Sequence, residues 1–192
     1  MPRTYIRAFK HEKELEIWGA PVDGPFQLVT TFPIARQSGR PGPKRREGDL
    51  QVPEGCYVVA VFNPQSKFHL SLGLNYPTAS DKVRSDQARP GYDIYIHGGS
   101  ASVGCLAMTD PVIEQIYLMA EQARSAGQKE IRVDIFPARP GPAWEELKRR
   151  HPQHVMFWRE IEPAYTLFEQ NKRPAEFTVD PDGRYVFGPA PR

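Results

Sequence analysis

The N-terminal part of the chain alternates apolar and polar side chains in short runs that turn-forming residues separate. These runs are residues 5–9, 15–18 and 26–32, and residues 19–24 form a turn rich in Pro and Gly. Alternation with a period of two is typical of half-buried β-strands. Because short turns join consecutive antiparallel strands, we predict that the chain begins with an antiparallel sheet.

Further strands are expected up to residue 137. The nearly continuous apolar run 55–62 predicts a strand that is buried on both faces and that ends at Asn63-Pro64. Residues 67–72 alternate, which places Phe68 on the face opposite to His69. Residues 93–97 and 131–136 also alternate, and in the former Tyr95 and His97 share one face.

Helices are predicted in two parts of the chain. One begins at Asp110 as N-cap, with Pro111 at the first helical position, and stops at Gly127. Beyond residue 137 the pattern predicts aromatic-rich helices over 144–150 and 162–171, followed by a hairpin over 177–187. We therefore predict an α+β fold, mainly β, with a domain at 1–137 and a C-terminal extension at 138–192 packed on it.

Composition excludes several classes of function. The chain has 25 Lys and Arg against 23 Asp and Glu, a net charge of +2, which argues against bulk binding of nucleic acid. Its apolar content of 40% is sufficient for a full core. No apolar run approaches the roughly 20 residues that a membrane-spanning helix needs.

A long loop, residues 35–54, collects positive charge among Gly and Pro residues. Its cations are Arg36, Arg40, Lys44, Arg45 and Arg46. Two interpretations stay open. The loop is either a solvated segment or the border of a site for an anionic ligand, because long ordered loops often carry function.

Cysteine usage and the N-terminus leave the compartment open. Cys56 and Cys105 are too few for a disulfide scaffold, so they form one pair or one of them is a working thiol. The first residues contain no apolar signal segment. The protein is therefore either cytosolic or a mature chain from which an export signal was removed.

The segment 96–108 is the most informative for chemistry. A strand delivers His97 to its end, a loop of small residues follows, and Gly104 leads into Cys105. A thiol needs a neighbouring base or cation to become a thiolate. His97 is able to take the thiol proton and to hold the resulting thiolate in an ion pair. The amides of Gly104 and Cys105 are candidate donors to an oxyanion. A zinc site is disfavoured because paired Cys or His ligands are absent from the sequence.

This segment resembles the active-site signature of the L,D-transpeptidase (YkuD-type) catalytic domain, a strand ending in Ile-His-Gly followed by a loop and Ser-His-Gly-Cys. The matching residues are Ile96-His97-Gly98 and Ser102-Val103-Gly104-Cys105. The YafK-like subgroup is similar in further motifs, namely Gly42-Pro43-Lys44, Pro53-Glu54-Gly55, Ser66 to Ser71, Asn75-Tyr76-Pro77 and Ala107-Met108-Thr109. The family's second histidine is Val103 here. An oxyanion role therefore falls to backbone amides or to another residue, for which His69 is a candidate.

The resemblance implies a β-sandwich or open barrel with one helix after the cysteine. It implies that Cys105 is the nucleophile and His97 the base, that the Gly98 carbonyl orients the imidazole, and that Gly104 belongs to the catalytic loop. The residues expected to bind substrate are Ser102, His69, Tyr76, Arg40, Lys44, Arg45 and Lys67. The basic side chains among them are candidates for pairing with substrate carboxylates.

The implied chemistry is acyl transfer on peptidoglycan stem peptides in the periplasm or cell wall, without a cofactor or metal. The acceptor is a second diaminopimelate or a lysine of an outer-membrane lipoprotein. Water as acceptor would make the protein an L,D-carboxypeptidase or an amidase. A non-catalytic wall-binding module with Cys56 and Cys105 oxidised together is a third hypothesis.

Overall fold

The computed structural model describes residues 2–188. Its strands are β1 (Arg3–Phe9), β2 (Glu14–Ala20), β3 (Gln27–Pro33), β4 (Arg36–Gln37), β5 (Gly55–Ser66), β6 (His69–Leu74), β7 (Tyr95–His97), β8 (Leu106–Ala107), β9 (Arg132–Phe136), β10 (Phe177–Val179) and β11 (Tyr185–Phe187). Its helices are α1 (Ala79–Arg84), α2 (Asp110–Ser125), α3 (Pro142–Arg150) and α4 (Val155–Asn171), with a 3-10 turn at Pro152–His154. The predicted α+β class is confirmed.

One sheet of nine strands organises the molecule, in the order β3-β2-β1-β9-β5-β6-β7-β8-β4. Strands β1, β2 and β3 pair antiparallel as predicted, whereas β1 pairs with β9 in parallel. The first part of β5 pairs with β9 and the rest with β6, with an irregularity of register between Val59 and Val61. Because such bulges bend a strand, the sheet curls into a half-barrel, which corresponds to the open-barrel form of the expected fold.

Strand β5 departs from its prediction in two ways. It continues through Asn63 and Pro64 to Ser66, and a shift of register between Asn63 and Ser66 explains how the proline is tolerated. Only Gly55 to Tyr57 are buried, and Val61 is largely exposed. The prediction of a strand buried throughout and ending at Asn63 is therefore wrong.

The two largest apolar clusters among the described residues pack against the sheet. In the first, Ile113, Ile116 and Ala120 of α2 lie against strand residues such as Ile6 and Ile96. In the second, Phe9, Cys56 and Phe136 of the sheet pack against Trp144, Phe157, Trp158 and Ile161 of α3 and α4. Burial of one large apolar side chain contributes about 1.5–3 kcal/mol. The C-terminal extension is thus packed on the sheet, and the domain boundary at residue 137 stays a prediction.

The start of α2 differs from the expected cap. Thr109 occupies the N-cap position without a side-chain capping bond, and Asp110 is the first helical residue. The carboxylate of Asp110 accepts a hydrogen bond from the backbone N–H of Gly99 instead. The helix ends at Ser125, just before Gly127, as expected. Among residues 2–188, no helix is both long and apolar enough to cross a membrane.

Candidate active site

His97 and Cys105 line the same cavity, which has a volume of about 500 Å³. β7 and β8 are adjacent parallel strands, with Ile96 opposite Leu106. In this parallel register Cys105, which directly precedes β8, lies level with Tyr95, whereas His97 is the last residue of β7. The two side chains therefore stand on the same face of the strand pair, two residue positions apart along it. Because Ile96 faces the core, Tyr95 and His97 are left on the cavity side, as the alternation predicts.

The imidazole of His97 is held in one tautomer. Its Nδ1 atom lies 2.6 Å from the carbonyl oxygen of Gly98. A carbonyl only accepts, so Nδ1 carries the hydrogen and Nε2 is a free base. Burial lowers the pKa of His97 below its ordinary value, and the Gly98 carbonyl opposes this only in part. The imidazole is therefore neutral at pH 7, and its Nδ1 contact is the one that the resemblance implies for Gly98.

The Cys105 side chain is a thiol in this arrangement. Its Sγ atom donates to the carbonyl of Asp93 at 3.5 Å and accepts from the backbone N–H of Tyr95 at 3.4 Å. Burial raises the pKa of the Cys105 thiol, and the Asp93 carboxylate adds to this, whereas the Tyr95 N–H and the Lys44 cation lower it. Within residues 2–188 no hydrogen bond joins Sγ to His97. Both pKa shifts favour a thiol beside a neutral imidazole over the resting ion pair that the sequence suggested.

The amide of Gly104 is not available to an oxyanion. It donates to the Ser38 hydroxyl at 2.7 Å, which corrects the expectation that both amides are free. The Cys105 N–H finds no acceptor among the residues that the structure describes, and so remains as a donor. Gly104 has a φ of +82°, in the left-handed region that glycine adopts most readily. Glycine at this position lets the chain turn sharply just before the cysteine.

Ser102 acts on the backbone of the same turn. Its hydroxyl donates to the Cys105 carbonyl at 2.6 Å, and Ser102 does not line the cavity. Val103, which stands where the family has a histidine, is 72% exposed. It lines a second cavity of about 180 Å³ together with Gly104 and Lys44. This turn therefore lies between two cavities, with the cysteine on the larger one.

The tip of the β5–β6 hairpin overturns the predicted faces of residues 67–72. Phe68 lies in the turn, 46% exposed, and its ring centroid is 4.6 Å from that of His97. His69 has a φ of +71°, and its Nε2 atom lies 2.7 Å from a carboxylate oxygen of Glu114 on α2. The left-handed residue reverses the alternation at the turn. Phe68 and Lys67 therefore line the cavity, and His69 does not.

The other predicted substrate-binding residues divide between positions near the site and positions away from it. Lys44 is buried beside the second cavity, where its Nζ donates to Asp49 at 2.6 Å. Arg45 packs over the Phe157 ring at 4.9 Å, Arg40 lies on a separate hollow, and buried Tyr76 donates to the Pro90 carbonyl at 2.8 Å. None of the last three lines the larger cavity.

Several residues that line the larger cavity were not identified from the sequence. Asp93, Tyr95, Phe68 and Ser71 line it. The shared face of Tyr95 and His97 was a usable signal, whereas nothing local marks Ser38, which reaches Gly104 across the fold.

The two cysteines are not paired with each other. Cys56 and Cys105 are both free thiols, and Cys56 lies in the apolar cluster under the C-terminal extension. Among residues 2–188 no three His, Cys, Asp or Glu side chains converge as a metal site.

Comparisons with known proteins identify the family of this chain. The sequence model of the family described as "YkuD: L,D-transpeptidase catalytic domain" matches residues 23–135. The Escherichia coli K12 protein named "Putative L,D-transpeptidase YafK" is 34% identical over 186 residues, covering 95% of this chain and 73% of that protein. The predicted resemblance to the YafK-like subgroup is thereby confirmed.

Solved structures share the fold. The helical cell shape determining protein Pgp2 of Campylobacter jejuni matches with a TM-score of 0.56 and 19% identity, over 93% of this chain and 73% of that chain. Its K307A mutant matches with a TM-score of 0.56 and 23% identity, over 71% and 48%. Bdellovibrio bacteriovorus Bd1075 gives a TM-score of 0.50 and 21% identity, over 82% and 56%. This chain thus spans about half the length of the matched mutant chain. By its sequence it belongs to the YkuD family of L,D-transpeptidase catalytic domains.

Proposed function

We propose that this protein is a cysteine-dependent acyltransferase that acts on peptidoglycan stem peptides at the cell wall. One observation carries the proposal, namely that His97 and Cys105 line one cavity of about 500 Å³. Family membership supplies the reaction class. A peptidoglycan substrate requires a periplasmic or wall-associated location.

The first half-reaction forms a thioester. His97 Nε2 takes the Cys105 proton as Sγ attacks the amide carbonyl on the L-centre of diaminopimelate. The Cys105 N–H donates to the oxygen that becomes negative. The C–N bond then breaks, and the imidazolium returns its proton to the departing amine of D-Ala. Because thiol and imidazole are both neutral at rest, proton transfer and attack are coupled rather than preceded by a stable ion pair.

The second half-reaction transfers the acyl group. An acceptor amine attacks the thioester carbonyl and passes a proton to His97 Nε2, which returns it to the departing sulfur. With a second diaminopimelate the product is a crosslink, and with a lipoprotein lysine it is an anchored protein. Lys67 on the cavity wall is the cation placed to pair with a stem-peptide carboxylate.

Hydrolysis is the second candidate, favoured by the open rim of the cavity. Lys67 and Phe68 at this rim are both exposed, so water has access to a thioester on Cys105. With water as acceptor, the same residues would give a carboxypeptidase or amidase.

The decisive experiment is the exposure of the purified protein to a carbapenem, a reagent that acylates such thiols. We expect a mass shift on the peptide that contains Cys105, its loss in Cys105→Ala, and its retention in the control Cys56→Ala. An unlabelled Cys105 in folded wild-type protein would overturn the proposal and favour a wall-binding module. Digestion of purified sacculi with added acceptor amine then separates transfer, which yields joined products, from hydrolysis, which yields only trimmed ones.

A further inference from the structure

The peptide unit between Gly98 and Gly99 is hydrogen-bonded at both ends. Its carbonyl oxygen accepts from His97 Nδ1 at 2.6 Å. Its N–H, which belongs to Gly99, donates to Oδ1 of Asp110 at 2.7 Å. A peptide group is planar and conjugated, so a stronger pull on its N–H makes its carbonyl a better acceptor. The Asp110 carboxylate is therefore connected to the imidazole through one amide.

We propose that Asp110 is a positioning residue for His97, orienting and polarising the imidazole through the Gly98–Gly99 peptide. The inference rests on the proposed function, in which His97 is the base. The carboxylate makes the stronger, charge-assisted kind of hydrogen bond to Gly99 N–H. It thereby keeps the Gly98 carbonyl pointing at Nδ1, which leaves Nε2 as the proton acceptor.

The surroundings hold this peptide in one orientation. A Cβ atom on Gly98 would lie 2.6 Å from Oδ1 of Asp110 and 2.6 Å from the Phe68 carbonyl oxygen. The backbone N–H of Gly98 donates to Leu70 at 3.1 Å, and the Gly99 carbonyl accepts from Thr109 at 3.1 Å. A flip of the peptide would break its bonds to both His97 and Asp110. Asp110 itself is anchored as the first residue of the helix Asp110–Ser125.

The effect grows as the reaction proceeds. When His97 takes the thiol proton, its Nδ1–H becomes a charged donor and bonds more strongly to the Gly98 carbonyl. Asp110 is exposed, so solvent screens its direct attraction to the imidazolium. Asp110 therefore acts on His97 mainly by orienting and polarising the Gly98–Gly99 peptide. This predicts a moderate effect on the rate of Cys105 acylation.

A purely structural role for Asp110 is the competing explanation. An acidic residue in the first turn stabilises a helix by interaction with its dipole. That role alters thermal stability and leaves the tautomer and pH profile of His97 unchanged. The ionisable groups that share the cavity with His97 are Lys67, Asp93, Tyr95 and Cys105, and His69 with Glu114 lies on the side of α2. The Asp110 variants leave each of these groups unsubstituted, and a separate control variant tests the effect of the charge on Glu114.

The test compares D110A and D110N with the control E114Q. Glu114 lies on the same helix, so its neutralisation removes a similar charge near the helix start without touching the Gly98–Gly99 peptide. One readout is the carbapenem acylation rate of Cys105 against pH. The other is the nitrogen NMR spectrum of His97, which reports the tautomer and the Nδ1–H bond independently of activity.

We expect D110A to slow acylation about tenfold, the size of one lost orienting hydrogen bond, with a lower apparent pKa for His97. D110N, which keeps an oxygen acceptor, should recover most of the rate, and E114Q should behave like wild type. An unchanged His97 spectrum and pH profile in D110A would overturn the inference. Should D110A not fold, D110S replaces it, since serine is favoured at helix starts. If wild-type Cys105 is not acylated, the proposed function is wrong. The inference about Asp110 is still tested in that case, because the NMR comparison does not depend on activity.

Discussion

The hydroxyl of Ser38 accepts a hydrogen bond from the backbone N–H of Gly104 at 2.7 Å and donates to the Leu50 carbonyl at 2.7 Å. The first bond connects the basic loop, residues 35–54, to the residue immediately before Cys105, and the second holds Ser38 to a later part of the same loop. The loop therefore does more than border the site, because one of its side chains holds the turn that presents the thiol.

Ser38→Ala should destabilise the fold and slow the reaction of Cys105. The substitution leaves the N–H of buried Gly104 without its acceptor, at a cost of about 1–3 kcal/mol in free energy of unfolding. Urea unfolding gives the free energy, and the rate of carbapenem labelling gives the effect on Cys105. Ser100→Ala is the control, since Ser100 is an exposed serine in the loop after His97. Equal stability of the two variants would contradict this role for Ser38.

Phe68→Ala should raise the pKa of His97 toward its ordinary value. The Phe68 ring covers the imidazole with 4.6 Å between ring centroids, and burial is the main cause of the lowered pKa. With the ring removed, water solvates the imidazolium, so more of the base is protonated below about pH 6.5. On acidification, acylation should then begin to fall at a higher pH than in wild type.

An NMR titration of His97 measures this pKa shift directly. Phe62→Ala is the matched control, because Phe62 lies on the same hairpin but contacts Tyr117, with 5.6 Å between ring centroids. If both variants titrate like wild type, Phe68 does not keep water from the imidazole.

Alkylation of Cys105 by iodoacetamide should accelerate continuously from about pH 6 to about pH 9. Burial raises the pKa of the thiol and lowers that of His97, so near neutrality the sulfur carries its proton. Below its pKa, a thiol gains about tenfold in thiolate per pH unit. A resting thiolate–imidazolium pair would instead give a rate that is flat near neutral pH.

The variant His97→Gln tests directly whether His97 ionises Cys105 in the resting protein. Without a resting ion pair to lose, this variant should keep the alkylation profile of wild type while losing carbapenem acylation, which needs the base. A large drop in its alkylation rate at pH 7 would show that His97 already ionises the sulfur at rest.

Trp158→Phe should destabilise the protein more than Trp144→Phe. Trp158 Nε1 donates to Oε2 of Glu54 at 2.6 Å, and Lys10 donates to Oε1 of this fully buried carboxylate at 2.9 Å. Loss of the Trp158 hydrogen bond leaves the buried Glu54 carboxylate with one donor fewer, which lowers the free energy of unfolding by about 1–3 kcal/mol. Trp144 Nε1 is buried without a hydrogen-bond partner in the described structure, so its removal costs only packing.

Chemical denaturation of the two tryptophan variants measures the difference. Both substitutions remove similar volume from the same apolar cluster, so the indole hydrogen bond is what distinguishes them. Equal destabilisation would mean that the link from the C-terminal extension to Glu54 contributes little.

The sequence by itself determined the elements that depend on local periodicity. The alternation of residues 5–32 and 93–97 predicted the meander and the shared face of Tyr95 and His97. Asp110-Pro111 with Gly127 located α2, although its N-cap is Thr109 rather than Asp110. Motif spacing brought His97 and Cys105 together as candidates before the strand pair β7–β8 was known. These features are predictable because neighbouring residues set strand and helix periods.

Only the tertiary structure decided which distant groups complete the site. The left-handed φ of His69 reversed a predicted alternation and placed Phe68 over His97. Folding brought Ser38 to the amide of Gly104, and it separated Arg40 and Arg45 from the larger cavity. Burial rather than residue type also sets the direction in which the pKa values of Cys105 and His97 shift. The physical reason is that solvation and long-range hydrogen bonds depend on which segments pack together, and a local pattern does not contain that information.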